Sequence, residues 1–179
     1  MQALTPDETI LGLLAAQARH GYQLLECFRD PAQLGSVWQL STSQVYAVLK
    51  RLEQQCLITG HAVESPDAPP RTEYCLTDVG RARLQGWLHD PYPSPSIRRV
   101  RVEFLSRLYI ARLLNMTTIS IVRVQKAACR QRLAELTAER DQVTHGVAFL
   151  THEHVITQLN AVLHWIDRCE LVPRDDAEL

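Results

Sequence analysis

The order of parts between Ser41 and Thr77 constrains this chain most. Ser41 and Gln44 stand three apart ahead of an apolar-periodic run, the spacing at which a serine hydroxyl and a glutamine side chain satisfy free amides reciprocally, so a helix is predicted to start at Thr42. Stepping 100° per residue places Val48, Leu49 and Leu52 within about 60° of Val45, as a core-facing stripe. The opposite side collects Ser43, Ala47, Lys50 and Gln54, with Tyr46 and Arg51 on its flanks. Leu57 to Val63 and Arg71 to Leu76 then alternate β-branched or aromatic with polar residues and read as paired strands. Between them, Ser65-Pro66-Asp67-Ala68-Pro69-Pro70 is expected to stay outside the sheet as the hairpin tip, since proline has no N–H to donate.

The flanking segments complete a small helical unit. Thr5-Pro6-Asp7-Glu8 reads as a helix start, Thr5 capping, Pro6 in the first helical position and Glu8 returning a bond to the Thr5 amide. Ile10, Leu11, Leu13, Leu14 and Ala18 form its apolar face until His20-Gly21 interrupts. A short second helix over about 22–28 ends before Asp30-Pro31, and Thr77 caps another over 78 to about 89. Asp90-Pro91-Tyr92-Pro93-Ser94-Pro95 reads as a semi-rigid linker and sets the expected domain boundary, giving residues 1–90 and 91–179.

Beyond the linker the periodicity is helical over about 96–114, 119–145 and 151–169, with a polar, fraying tail from Arg174 to Leu179. In the last helix Val155, Leu159, Val162 and Ile166 repeat at 4-3-4 spacing and continue to Cys169. This seam requires a partner, either another helix of the chain or a second copy, and the dimer interface is assigned to those first four residues.

Composition narrows the function. At 46% hydrophobic and 22% charged residues the chain reads as globular, without an apolar run of the roughly 18 residues needed to span a membrane, so a cytoplasmic location is expected. Five dispersed cysteines without a C-x-x-C pair read as reduced thiols. His152-Glu153-His154 lacks the H-E-x-x-H spacing, and is expected to open the last helix behind a Thr151 cap. With no phosphate loop, nucleophile elbow or metal set, neither an enzyme nor a cofactor is expected. Residues 1–90 carry seven Lys and Arg against ten Asp and Glu, so nucleic-acid binding must rest on local placement of charge.

That placement has a physical logic. Thr42, Ser43 and Gln44 at a helix N-terminus can approach base edges, Gln44 being able to read adenine bidentately. Lys50 and Arg51 can meet phosphate, as can the Tyr46 hydroxyl, while Arg71 beside the tip can lie along the minor groove. Tyr22 either contacts phosphate or fills the core between helices.

His20-Gly21-Tyr22-Gln23-Leu24, Val45 to Glu53, Leu57-Ile58, Pro70-Arg71, Tyr74 to Thr77 and Gly80 together resemble the winged helix-turn-helix domain of the PadR-like transcriptional regulators. The resemblance covers about residues 8–88, and weakly extends to Val102–Tyr109 as the opening of a helical dimerisation domain. It departs from the family pattern at Cys56, where glycine is usual, at Ala47, often proline, and at Gln44, often a small residue or threonine. It implies a mainly α fold: a bacterial winged helix of three helices and a two-stranded wing, then a helical C-terminal dimerisation domain that can also respond to an effector. The implied function is a homodimeric repressor of double-stranded DNA at (pseudo)palindromic operators, relieved by a small hydrophobic or phenolic molecule. The DNA-binding set is then Tyr22, Ser41, Thr42, Ser43, Gln44, Tyr46, Lys50, Arg51 and Arg71. Two alternatives remain open: a winged helix used for protein–protein contact, and a redox-responsive regulator acting through Cys56 or Cys75. Trp38, Trp87 and Trp165 are candidates for an apolar effector pocket or for core.

Overall fold

A computed structural model describes residues 4–65 and 68–169. The fold is mainly helical with one small antiparallel sheet. Helix α1 (Asp7–Ala16) leads into β1 (Arg19–His20) and α2 (Gly21–Arg29), and α3 (Thr42–Gln54) precedes the hairpin β2 (Ile58–Ser65) and β3 (Ala68–Leu76). Then come α4 (Asp78–Leu88), α5 (Ile97–Arg99) continuing as π-helix over Val100–Phe104, α6 (Leu105–Leu113), α7 (Ile119–Asp141) and α8 (Gly146–Cys169). By internal contacts the chain forms two units, one of residues up to His89 with Leu105–Met116, the other of Asp90–Phe104 with residues from Thr117 onward.

In the first unit the predicted stripe of α3 is the core: Val45, Leu49 and Leu52 are fully buried and Val48 nearly so. Each such side chain contributes about 1.5–3 kcal/mol of burial. They meet an interior that includes Ile10, Leu13, Leu24, Ile58 and Leu84. The Ser41–Gln44 capping box forms as the spacing predicts. At the head of α1 the expected box does not: the helix starts at Asp7, and the Thr5 hydroxyl donates to the Asp7 carboxylate at 2.8 Å instead of capping an amide. The box stands on α2, where the Gln23 side chain accepts the His20 amide at 2.8 Å.

The sheet extends one expectation and corrects another. The expected two-stranded hairpin of β2 and β3 forms, and a third strand not foreseen joins it, because Arg19–His20 pairs with Tyr74 and Glu73, giving the order β1-β3-β2 with β3 in the centre. The strands also run further toward the tip than the prolines suggest. Ser65 pairs with Ala68, and Pro69 and Pro70 are absorbed where the register shifts between Val63–Arg71 and Ser65–Ala68, a bulge that asks no N–H of them. Of the expected tip, Pro66 and Asp67 lie outside the described residues, as does the tail from Arg174 to Leu179.

The turn from α3 into the hairpin explains one departure from the family pattern. Cys56 adopts φ of 56°, the left-handed conformation that glycine takes at least cost. The Thr77 hydroxyl donates to the Cys56 and Leu57 carbonyls at 2.8 and 2.9 Å and accepts the Gly80 amide at 3.0 Å, tying α4 to that turn. A Cβ on Gly80 would stand 2.0 Å from the Leu57 carbonyl oxygen, so only glycine allows this approach. On α4, Leu84 and Leu88 are buried while Val79 is 60% exposed.

In the second unit α7 and α8 pack antiparallel, tied by Arg140–Glu153 at 2.7 Å near the turn and by Lys126–Asp167 further along. The linker is not a free spacer: Gln125, itself buried, donates to the Ser94 carbonyl at 3.0 Å, and Pro93 is buried. Helix α8 starts five residues earlier than expected, so Thr151 lies inside it and returns its hydroxyl to the Val147 carbonyl rather than capping. His152 faces Glu139 at 3.4 Å and Glu153 pairs with Arg140; among the described residues no cluster of metal-ligating side chains exists. No described helix is long and apolar enough to cross a membrane.

Candidate nucleic-acid interface

The candidate reading face is the exposed end of α3. Ser41, Thr42, Ser43 and Gln44 are all exposed, because the buried stripe begins only at Val45. Their side chains are engaged with one another. The Ser41 hydroxyl accepts the Gln44 amide at 3.3 Å and lies 3.0 Å from the Ser43 hydroxyl, while Gln44 Oε1 accepts the Ser41 amide at 2.8 Å. One of the two lone pairs of Gln44 Oε1 is thereby used in the cap, leaving the other and the amide NH2 for a base edge.

Lys50 is exposed on the outer face and, among the described residues, makes no ion pair or hydrogen bond. Arg51, by contrast, is paired. Its guanidinium donates from Nη2 to Oδ1 of the buried Asp7 at 2.5 Å, an ion pair that ties α3 to α1, while the side chain stays 40% exposed.

Beside α3 stands a cluster of rings. Tyr22 and Tyr46 are each 45% exposed, high values for tyrosine, so Tyr22 does not fill the core between helices. His20 stacks on Tyr22 with centroids 5.8 Å apart and planes 9° from parallel, and the Arg71 guanidinium lies 5.5 Å from the Tyr22 centroid. His20 Nδ1 lies 3.1 Å from the Thr72 carbonyl oxygen, which fixes the stack to the hairpin. Gly21 makes the cluster fit, since a Cβ there would come within 2.8 Å of the Tyr46 ring. With Thr72 and Tyr74 these residues line an open depression of about 250 Å³. Burial, then the nearby Glu53 and Tyr46, push the Tyr74 hydroxyl above its ordinary value, so it stays a neutral donor.

Sequence reading missed Arg29. At the end of α2 its Nη2 donates to the Thr42 hydroxyl at 3.3 Å and its Nη1 pairs with Glu26 at 3.2 Å, placing an exposed cation at the N-terminus of α3. The connection of 12 residues between the helices hid that proximity.

The other assigned residues fare differently. On α8, Leu159 and Ile166 are 1% and 0% exposed within this chain alone, and only Val155 and Val162 keep part of their surface. Two of the four seam residues are therefore taken up by packing inside the chain. The tryptophans are also absorbed: Trp38 is buried with Nε1 donating to Ser106 at 2.9 Å, Trp87 lies under Arg107, and Trp165 meets Phe104 edge-on. Burial raises the Cys27 and Cys129 thiols above their ordinary values, whereas Cys56 is exposed.

Residues 10–86 match the model of the "Transcriptional regulator PadR-like family". The chain is 33% identical over 102 residues to the negative transcriptional regulator PadR of Bacillus subtilis, covering 56% of this chain and 53% of that protein. It is 30% identical over 82 residues to a probable transcriptional regulator of Mycobacterium tuberculosis, covering 46% and 42%. The chain thus spans about half the length of these curated relatives. Among solved structures it is similar to Bacillus subtilis PadR in complex with operator DNA, with 23% identity, 89% and 98% coverage and a TM-score of 0.46.

Proposed function

We propose that this chain, whose N-terminal unit belongs to the PadR-like family of transcriptional regulators, is a DNA-binding transcriptional repressor. The observation that carries this reading is the gathering, on one exposed face, of the α3 N-terminus with Arg29, Lys50, Tyr22, Tyr46 and Arg71. In this reading α3 enters the major groove, with Ser43 and Gln44 nearest the base edges. Arg29, Lys50 and the tyrosine hydroxyls hold phosphates, and the hairpin carries Arg71 along the neighbouring minor groove. Repression, rather than activation, is supported by the relative named as a negative regulator.

A net-acidic first half with few free cations binds weakly as a single copy, so two copies act together. Residues 91–179 supply the homodimer contact, with Val155 and Val162 as the half-exposed members of the seam. The operator is then (pseudo)palindromic, with half-sites about 34–36 Å apart. The effector is a small hydrophobic or phenolic molecule. Support comes from an open groove of about 670 Å³ in the second unit, whose wall of Pro91, Pro93, Val124, Ala127 and Ala128 is apolar and whose rim carries Arg123, Arg132 and Glu135.

Selection of bound duplexes from random oligonucleotides tests this reading. An inverted repeat with centres one helical turn apart is expected; failure to enrich any sequence overturns it. The acidic balance of residues 1–90 favours a second reading, a winged helix that docks on protein, which predicts no duplex binding even at low salt.

A further inference from the structure

Asp7, the first residue of α1, is 6% exposed. Its Oδ1 accepts Arg51 Nη2 at 2.5 Å and its Oδ2 accepts the Thr5 hydroxyl at 2.8 Å. Next to it Glu8 Oε1 accepts Arg83 Nη2 at 2.7 Å and Nε at 3.1 Å. The same guanidinium stands 4.0 Å from Asp7 and donates to Gln55 Oε1 at 3.1 Å. Arg51 lies in the last turn of α3, Gln55 caps that helix, and Arg83 lies on α4. One acidic corner at the start of α1 therefore holds the end of α3 opposite its candidate reading residues.

An apolar stripe resists lifting of a helix from the core more than it resists small rotation or sliding, because dispersion contacts are non-directional. A buried carboxylate is stricter, since its bonds hold only over a few tenths of an ångström. We propose that Asp7 and Arg51 are positioning residues for DNA binding: their ion pair sets the rotation and axial position of α3, and Arg51 acts on DNA through Asp7 instead of by touching phosphate. This rests on α3 being the DNA-reading helix.

Charge and position predict opposite signs. Acting through charge alone, Asp7→Asn would remove a negative group, release a guanidinium and tighten binding to a polyanion. Acting through position, the same change loosens α3 and weakens binding although the protein becomes less acidic.

The test uses the full chain and a mixed-sequence duplex, with fluorescence anisotropy followed across a sodium chloride series. Asp7→Asn and Arg51→Gln should each weaken binding about tenfold, the scale of one lost charge-assisted hydrogen bond, with the salt slope of the wild type. Lys50→Ala should instead reduce that slope by about 2, as loss of one phosphate contact from each of two copies does. The double variant Asp7→Asn/Arg51→Gln strands no charge, should melt as a folded protein, and should bind no more weakly than either single variant. If a single variant fails to fold, the double variant carries the comparison, again about tenfold weaker at unchanged slope. Binding by Asp7→Asn as tight as or tighter than wild type, or a slope reduced by Arg51→Gln, overturns the proposal. Absence of wild-type binding instead removes the DNA reading on which it rests.

Discussion

Helices α3 and α8 are both amphipathic, and they differ in what each leaves over. On α3 the apolar stripe is covered to 5% exposure or less, and what remains outside includes Ser43, Gln44, Tyr46 and Lys50 toward its start and middle and Glu53 and Gln54 at its end. On α8 the stripe alternates, Leu159 and Ile166 buried, Val155 and Val162 only half so. One helix has polar chemistry to spare and the other apolar surface. A helix with surplus donors suits a polyanion; one with surplus apolar area suits another apolar face.

The largest expected effect tests the covered stripe. Leu49→Ala should cost about 2–5 kcal/mol of stability in urea denaturation, the range for a fully buried leucine, whereas Val162→Ala should cost less than about 1.5 kcal/mol. Equal losses would erase the contrast between the helices. The surplus on α8 is probed by Val155→Asp with Val162→Asp, which should shift the mass seen by light scattering from two copies to one while the monomer stays folded. An unchanged dimer would place its contact elsewhere.

The surplus on α3 and its neighbours comes next. Arg71→Ala should weaken duplex binding about tenfold and leave the melting temperature within about a degree, because the side chain is exposed and its ring contact with Tyr22 contributes little to stability. A smaller effect is expected at the end of α3. Cys56→Gly should raise stability by about 1 kcal/mol by relieving the left-handed backbone, measured by the same denaturation.

The smallest effect concerns pH. The hydrogen bond from Lys126 holds the Asp167 carboxyl below the ordinary aspartate value. Its contribution is therefore present above that ordinary value and lost as pH falls through the lowered one. Lys126→Ala should flatten the acid limb of the melting profile slightly; an unchanged limb would leave this pair without a role in stability.

These contrasts also separate what was legible in the chain from what was not. Local patterns were readable where the governing interaction is local. The Ser41–Gln44 box, the Val45-Val48-Leu49-Leu52 stripe and the two-residue period of the hairpin each depend on neighbours a few positions away. Pairings set by tertiary approach were not readable. Arg51 has the same spacing whether it faces phosphate or Asp7, 44 positions earlier, and Arg19–His20 becomes a strand only because Tyr74 and Glu73 arrive beside it. The seam of α8 showed its period but not its partner, since leucine spacing is indifferent to whether the covering helix belongs to the same chain. For α1, Thr5 offered a cap, yet the Asp7 carboxylate drew its hydroxyl away.

The salt dependence of duplex binding by the wild-type chain tests the central claim most directly. Two copies, each bringing Arg29 and Lys50 to phosphates and Arg71 to the minor groove, set about six cations against the duplex, so the logarithm of the affinity should fall linearly with the logarithm of salt concentration with a slope of about −5. A slope near zero, or no binding at low salt, would contradict the assignment of this face to DNA.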